Sequence, residues 1–169
     1  MGALTGKVEE LYAGNRVVKV FNRQAAVLEE AEALNEAQFR AQVDTTKDLL
    51  TSLTGQTRFA LRPPYGYVDD GVRRWAEGPI ILWSVDPEDW RDQNAQRVAE
   101  HIVNHASDGA IVLLHDLFPT SVEGALEAVD QLLAQGYRFV TVDELFAARG
   151  LEPVDGQVYR SLEPQESPS

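Results

Sequence analysis

His115 closes the apolar run Ile111-Val112-Leu113-Leu114 and is followed at once by Asp116. A histidine titrates near neutrality, so at the exit of a strand it is suited to protonate a leaving group. For that work it needs a carboxylate to hold its tautomer, and Asp89 or Asp116 can serve. Arg62 precedes Pro63 and Pro64. Rigid backbone there fixes the direction of the guanidinium, which suits the orientation of a carboxylate as well as a plain structural ion pair. Asp86, Glu88 and Asp89 form an acidic cluster between Trp83 and Trp90. Carboxylates beside aromatic faces are a sugar-cleft arrangement, although tryptophan pairs also serve as core. Glu88 is expected to face solvent.

Two further patterns imitate metal sites. His101 and His105 stand four apart on a helical stretch and have the spacing of a zinc chelate. They lie beside the apolar stripe Val98, Ile102 and Ala106 on a crossover helix, and no third ligand is near in sequence. Asp69-Asp70-Gly71 looks like a metal-binding acid pair but stands where a helix needs an N-cap, and capping is the expected role.

The three segments need a frame that brings them together. Strand and helix patterns alternate from residue 56 onward, at spacings fit for right-handed βαβ crossovers. The expected strands are 58–61, 79–85, 110–114 and 138–142, with helices over 70–75, 94–106, 121–134 and 143–149. Ser121 is expected to cap the third of these helices. Arg16–Phe21 has strand composition. Helical spacing runs from about Gln24 to Leu53, with a break near Leu34, an Asn35–Gln38 cap and a stop at Gly55. In parallel α/β folds the strand C-termini share one face, where sites are built. Arg62, Asp89 and His115 are therefore expected to meet at one mouth.

The chain has 169 residues, 44% of them hydrophobic, and a net charge of −12. That suits one domain with a real core, and disfavours nucleic acid or an anionic membrane as a partner. Without cysteine, disulfides and thiolate metal sites are excluded. The first twenty residues hold no apolar core of signal-peptide length, and localisation stays unknown. After Glu152 the composition turns to Pro, Glu, Ser and Gln, which predicts a flexible tail over 151–169.

In this order and spacing the segments resemble the polysaccharide deacetylase family, the NodB homology domain of carbohydrate esterase family 4. Residues 62–66 match its Arg-Pro-Pro-Tyr-Gly segment, 83–90 its segment ending Asp-x-x-Asp-Trp, and 113–116 its Leu-x-His-Asp. Residues 136–145 resemble its closing strand and helix. The resemblance runs from about Leu34 to Ala148 and covers the C-terminal part of the family's domain. It divides the chain into an atypical segment 1–34, a deacetylase-like domain 35–150 and the tail. It implies a partial or distorted (β/α) barrel with parallel strands and outer helices. It also implies a divalent metal, usually zinc, and hydrolytic removal of (N-)acetyl groups from chitin oligomers, peptidoglycan or xylan. Family members are often secreted or found at the cell surface.

By resemblance His115 is the general acid, Asp89 tunes it, and Arg62 orients the base carboxylate. The Tyr65 N–H helps hold the oxyanion, and Trp90 and Leu113 line the pocket for the acetyl methyl. The family's Thr-Phe-Asp-Asp-Gly and His-x-x-x-His segments belong upstream of Leu34, but residues 1–33 contain no His and no Asp. No base and no metal ligand carries over, so the chain is expected to be a truncated, weak or inactive deacetylase. The alternative is a non-catalytic carbohydrate-binding or regulatory remnant using Trp83, Trp90 and Tyr65 as a sugar platform. An enzyme of different hydrolytic chemistry centred on Asp89 and His115 would lack a visible nucleophile. The sheet edge left without front strands is an expected place for self-association.

Overall fold

The computed structural model describes residues 36–164. The expected strand Arg16–Phe21, the helical pattern before Leu34 and the Asn35 cap lie outside the described residues.

Helix α1 (Glu36–Thr54) ends where expected, with Gly55 at φ 73° taking the left-handed turn. Its apolar stripe is only half used. Phe39 is buried and meets the Trp75 ring at 5.7 Å, while Leu49 and Leu53 stay exposed. A 3₁₀ turn over Pro64–Gly66 leads to α2 (Asp70–Trp75). The Asp69 side chain caps α2 by accepting the Val72 N–H at 2.7 Å, so the acid pair of the sequence is a helix start.

Strand β1 (Ile80–Ile81) is the hub of the sheet. Ile80, Ile81, Leu82 and Val85 are all buried, as a nearly continuous apolar run predicts. On one side the Ile81 N–H donates to the Leu61 carbonyl at 2.9 Å. On the other, β1 pairs in parallel with β2 (Val158–Tyr159), in the register Ile80–Val158 and Ile81–Tyr159. Further along the same run Val85 bridges Val112, again in parallel. The expected strand at 58–61 is thus present as a single parallel bridge and that at 110–114 as isolated bridges, parallel at Val112 and antiparallel from Ala110 to Ser161, and the sheet is α/β in kind but fragmentary, a partial barrel.

A short helix α3 (Asp89–Asp92) precedes α4 (Ala95–His105), α5 (Pro119–Ala134) and α6 (Val142–Arg149). Asn94 caps α4, which buries Val98, Ala99 and Ile102 against Ala128 and Leu132 of α5. Thr141 and Glu144 form a reciprocal capping box on α6. Among the described residues, no helix is long and apolar enough to cross a membrane.

Three expectations are corrected. Residues 138–141 form no strand, and Phe139 is 49% exposed. Apolar β composition supplies no ladder without a neighbour, and none of the described strands lies beside this segment. Helix α5 begins at Pro119, with Phe118 at the N-cap, so Ser121 is its third residue and not its cap. Proline at the first helical position, where the missing N–H costs nothing, starts the helix early. Finally, residues 151–164 of the expected flexible tail pack on the body. Leu162 joins a cluster with Ile81, Ile111 and Phe146, and Tyr159 meets the Phe146 ring edge-on at 4.8 Å. The Leu162 N–H donates to the Gly109 carbonyl at 2.9 Å, an approach that Gly109 permits because a Cβ there would lie 2.2 Å from the Leu162 oxygen.

Candidate active site

Parallel pairing sends Leu61, Val85 and Val112 in one direction, so the residues that follow each of them emerge at the same end of the sheet. Arg62, the Asp86–Trp90 segment and His115 all follow such positions. The ladder ends because Pro63 and Pro87 lack a donor and because Glu88, at φ 49°, turns the chain into α3.

The Asp89 side chain is fully buried, and it grips His115 with both oxygens. His115 Nδ1 lies 2.8 Å from Oδ1, and the His115 backbone N–H donates to Oδ2 at 2.8 Å. With Nδ1 committed to the carboxylate, Nε2 is the ring nitrogen presented to a ligand, and the side chain is 37% exposed. Burial pushes the Asp89 carboxyl up. The Ser121 hydroxyl, the His115 ring and the His115 N–H together outweigh that and hold it below its ordinary value. Of the two candidate partners for His115, the structure selects Asp89; Asp116 is exposed.

Arg62 is not brought into contact with this pair. Its guanidinium is exposed, and Nε donates to the Ile81 carbonyl at 3.4 Å. It stands at the same sheet end, attached to the hub strand. Tyr65 has φ 57°, uncommon for a residue with a Cβ, and its ring is 67% exposed. The turn's hydrogen bonds take the N–H groups of Gly66 and Tyr67, not that of Tyr65. Trp83 packs beneath this turn, and a Cβ on Gly66 would meet its ring at 2.8 Å. Trp83 Nε1 donates to Asp86 at 3.1 Å, so one of the two tryptophans is part of the frame. Trp90 and Leu113 are half-buried. Glu88 faces solvent and pairs with Arg91.

Among the described residues, no group of three or more His, Asp or Glu side chains is placed to hold a metal. His101 and His105 stack at 4.2 Å, and His105 Nδ1 is taken up by the His101 carbonyl at 2.8 Å. They line a cavity of about 240 Å³ with Glu88, Asp92 and Asn104, apart from His115 and Arg62. Sequence reasoning missed Ser121 as a member of the site. The available signal was Pro119, which shifts the helix start and moves Ser121 one turn inward.

No family model matches the chain. Over 104 residues it is 38% identical to the peptidoglycan-N-acetylmuramic acid deacetylase PdaC of Bacillus subtilis, covering 62% of this chain and 22% of that protein. It is 41% identical over 108 residues to the peptidoglycan-N-acetylglucosamine deacetylase PgdA of Listeria monocytogenes, covering 64% and 23%. The chain spans less than a quarter of these curated relatives. Among solved structures it is similar to a family 4 acetyl xylan esterase from Clostridium thermocellum in complex with cobalt, at a TM-score of 0.70 and 26% identity, covering 76% of this chain and 65% of that one. It is also similar to BA3943, a CE4 family pseudoenzyme from Bacillus anthracis, at 0.60 and 28%, covering 67% and 41%.

The fold and the strand-end segments thus agree with the partial (β/α) barrel of this class of deacetylase. The relatives and the solved structures support a polysaccharide deacetylase domain of the NodB, carbohydrate esterase family 4 type. The family's metal does not fit the described residues, which offer it no ligand set.

Proposed function

We propose that this chain carries the acid half of a polysaccharide deacetylase site. His115 is the general acid that delivers a proton to the departing amine, and Asp89 fixes its tautomer and orientation. Arg62 orients a carboxylate base. The Tyr65 N–H faces the developing oxyanion, and Trp90 and Leu113 border the acetyl group. The ligand class is an acetylated polysaccharide of the peptidoglycan, chitin or xylan kind. The observation that carries this reading is the two-point grip of Asp89 on His115 at the sheet's C-terminal end.

General acid catalysis contributes roughly 10²–10⁴-fold. It does not replace the polarisation and activated water that a metal supplies when bound in this family. Alone, the chain therefore deacetylates weakly or not at all. The direct test is zinc content by elemental analysis, with acetate release from N-acetylglucosamine oligomers with and without added zinc. Substoichiometric metal and background acetate are expected. One zinc per chain with zinc-dependent acetate release would overturn the reading.

The likeness to a family pseudoenzyme, the exposed Tyr65 ring and the half-buried Trp90 favour a second reading as a non-catalytic carbohydrate binder. Chitooligosaccharide binding that survives a chelator and is lost in Trp90→Ala supports it; no binding at millimolar ligand removes it. In both readings the edge at Leu61, which has no further strand beside it among the described residues, is where a second copy of the chain would pair, and light scattering across a concentration series tests that.

A further inference from the structure

Asp89 and Ser121 are the buried polar residues among those described, at 0% and 1% exposure. They come from different elements, α3 and the first turn of α5. Each Asp89 oxygen accepts one donor from His115. An ionised carboxylate has about four acceptor sites, so a buried one with two donors among the described residues is under-supplied. Ser121 has the opposite problem. Its Oγ is buried and meets no partner at full hydrogen-bond geometry. The helices that carry the two residues, α3 and α5, pack against each other, and the Ser121 hydroxyl is among the groups that hold the Asp89 carboxyl ionised. A rotatable hydroxyl without an acceptor beside a carboxylate with acceptor sites to spare is a pair that a small rotation completes.

We infer that Ser121 is a positioning residue: its hydroxyl donates the third hydrogen bond to the Asp89 carboxylate and keeps both oxygens turned toward His115. The role rests on the reading of His115 as the acid, since it acts only through Asp89. Other charged groups near the carboxylate do not duplicate it. On α3, Arg91 is paired with Glu88 and Asp92 with Arg97, and all four are exposed. The 111–114 segment brings no charge. Asp116 and Glu123, the first acid of α5, are exposed, and the first turn of α5 carries none.

Ser121→Ala separates the possibilities by sign. If the hydroxyl is an unpaired passenger, alanine relieves a buried unsatisfied group and stabilises the fold. If it holds Asp89, alanine destabilises the fold and moves the Asp89 titration up. The measurement is a carboxyl ¹³C NMR titration of the full chain, with Thr120→Ala as the control for a neighbouring buried hydroxyl. The expected result is an upward shift of the Asp89 midpoint in Ser121→Ala, with Thr120→Ala unmoved. The pH at which the His115 amide loses hydrogen-exchange protection should rise in parallel. An unchanged midpoint in Ser121→Ala, or an equal shift in Thr120→Ala, overturns the inference. If Ser121→Ala does not fold, Ser121→Thr keeps the hydroxyl and decides: an unmoved midpoint supports the role and a raised one ends it. No substrate enters these readouts, so failure of the deacetylase reading leaves them standing, and their failure leaves that reading intact.

Discussion

The Asp89 carboxylate holds His115 by ring and by backbone at once, each at 2.8 Å. One bond aims the imidazole and the other ties the strand end to α3, so the same residue serves chemistry and fold. Asp89→Asn satisfies both contacts only with the His115 ring in its Nε2–H tautomer; against the protonated ring one of its two side-chain atoms is a donor facing a donor. We expect a loss of about 1–3 kcal/mol, the usual cost of a buried unsatisfied group. It should be read as a lower urea midpoint at unchanged m-value.

The pH dependence follows from the depressed Asp89 carboxyl. Its folded pKa lies below the unfolded value, so its contribution is fully present above the unfolded carboxylate range. It is lost as pH falls through the folded pKa. The advantage of wild type over Asp89→Asn in urea midpoint should be constant down to about pH 5 and shrink on further acidification. Glu77 and Glu144 are depressed too, and the comparison with the asparagine variant cancels their contributions.

Asp69 separates a cap from a metal ligand. Asparagine caps as well as aspartate, whereas alanine does not. Asp69→Asn should leave thermal stability nearly unchanged, and Asp69→Ala should cost about 1 kcal/mol, with metal content the same in both.

Gly66 has φ 67° and no room for a Cβ above Trp83. Gly66→Ala should destabilise by more than about 1 kcal/mol and shift the tryptophan emission. An unaltered spectrum and melting point would show that the turn does not rest on Trp83.

Leu162 tests the packing of the C-terminal segment. It is 5% exposed among Ile81, Ile111 and Phe146, so Leu162→Ala should cost about 2–5 kcal/mol. A variant ending before Gln157 should lose protection of the Ile80 and Leu82 amides, which donate to the Gln157 and Tyr159 carbonyls.

What could be read in the residues was what local chemistry decides. Asp69, Asn94 and Gly55 mark helix ends because each satisfies or relieves the backbone within a few residues. The buried run Ile80–Val85 was legible because nothing in it suits water. The site pair was half legible: a strand-end histidine needs a carboxylate, but only tertiary packing chooses Asp89 over Asp116. Residues 138–141 carry strand composition, yet pairing depends on a neighbour that local pattern does not reveal. Val158, Tyr159 and Leu162 were hidden for the opposite reason. They are scattered among polar residues, and their burial is set by β1, some eighty positions earlier.

The parallel partner of β1 at Val158–Tyr159 also dictates timing. A nascent chain growing from its N-terminus holds β1 long before it holds β2. Until residue 159 has left the ribosome, one flank of the hub strand stays unsatisfied and sticky. Pairing on that flank thus waits for residue 159, and in the meantime chaperones or neighbouring nascent chains have a window in which to bind it.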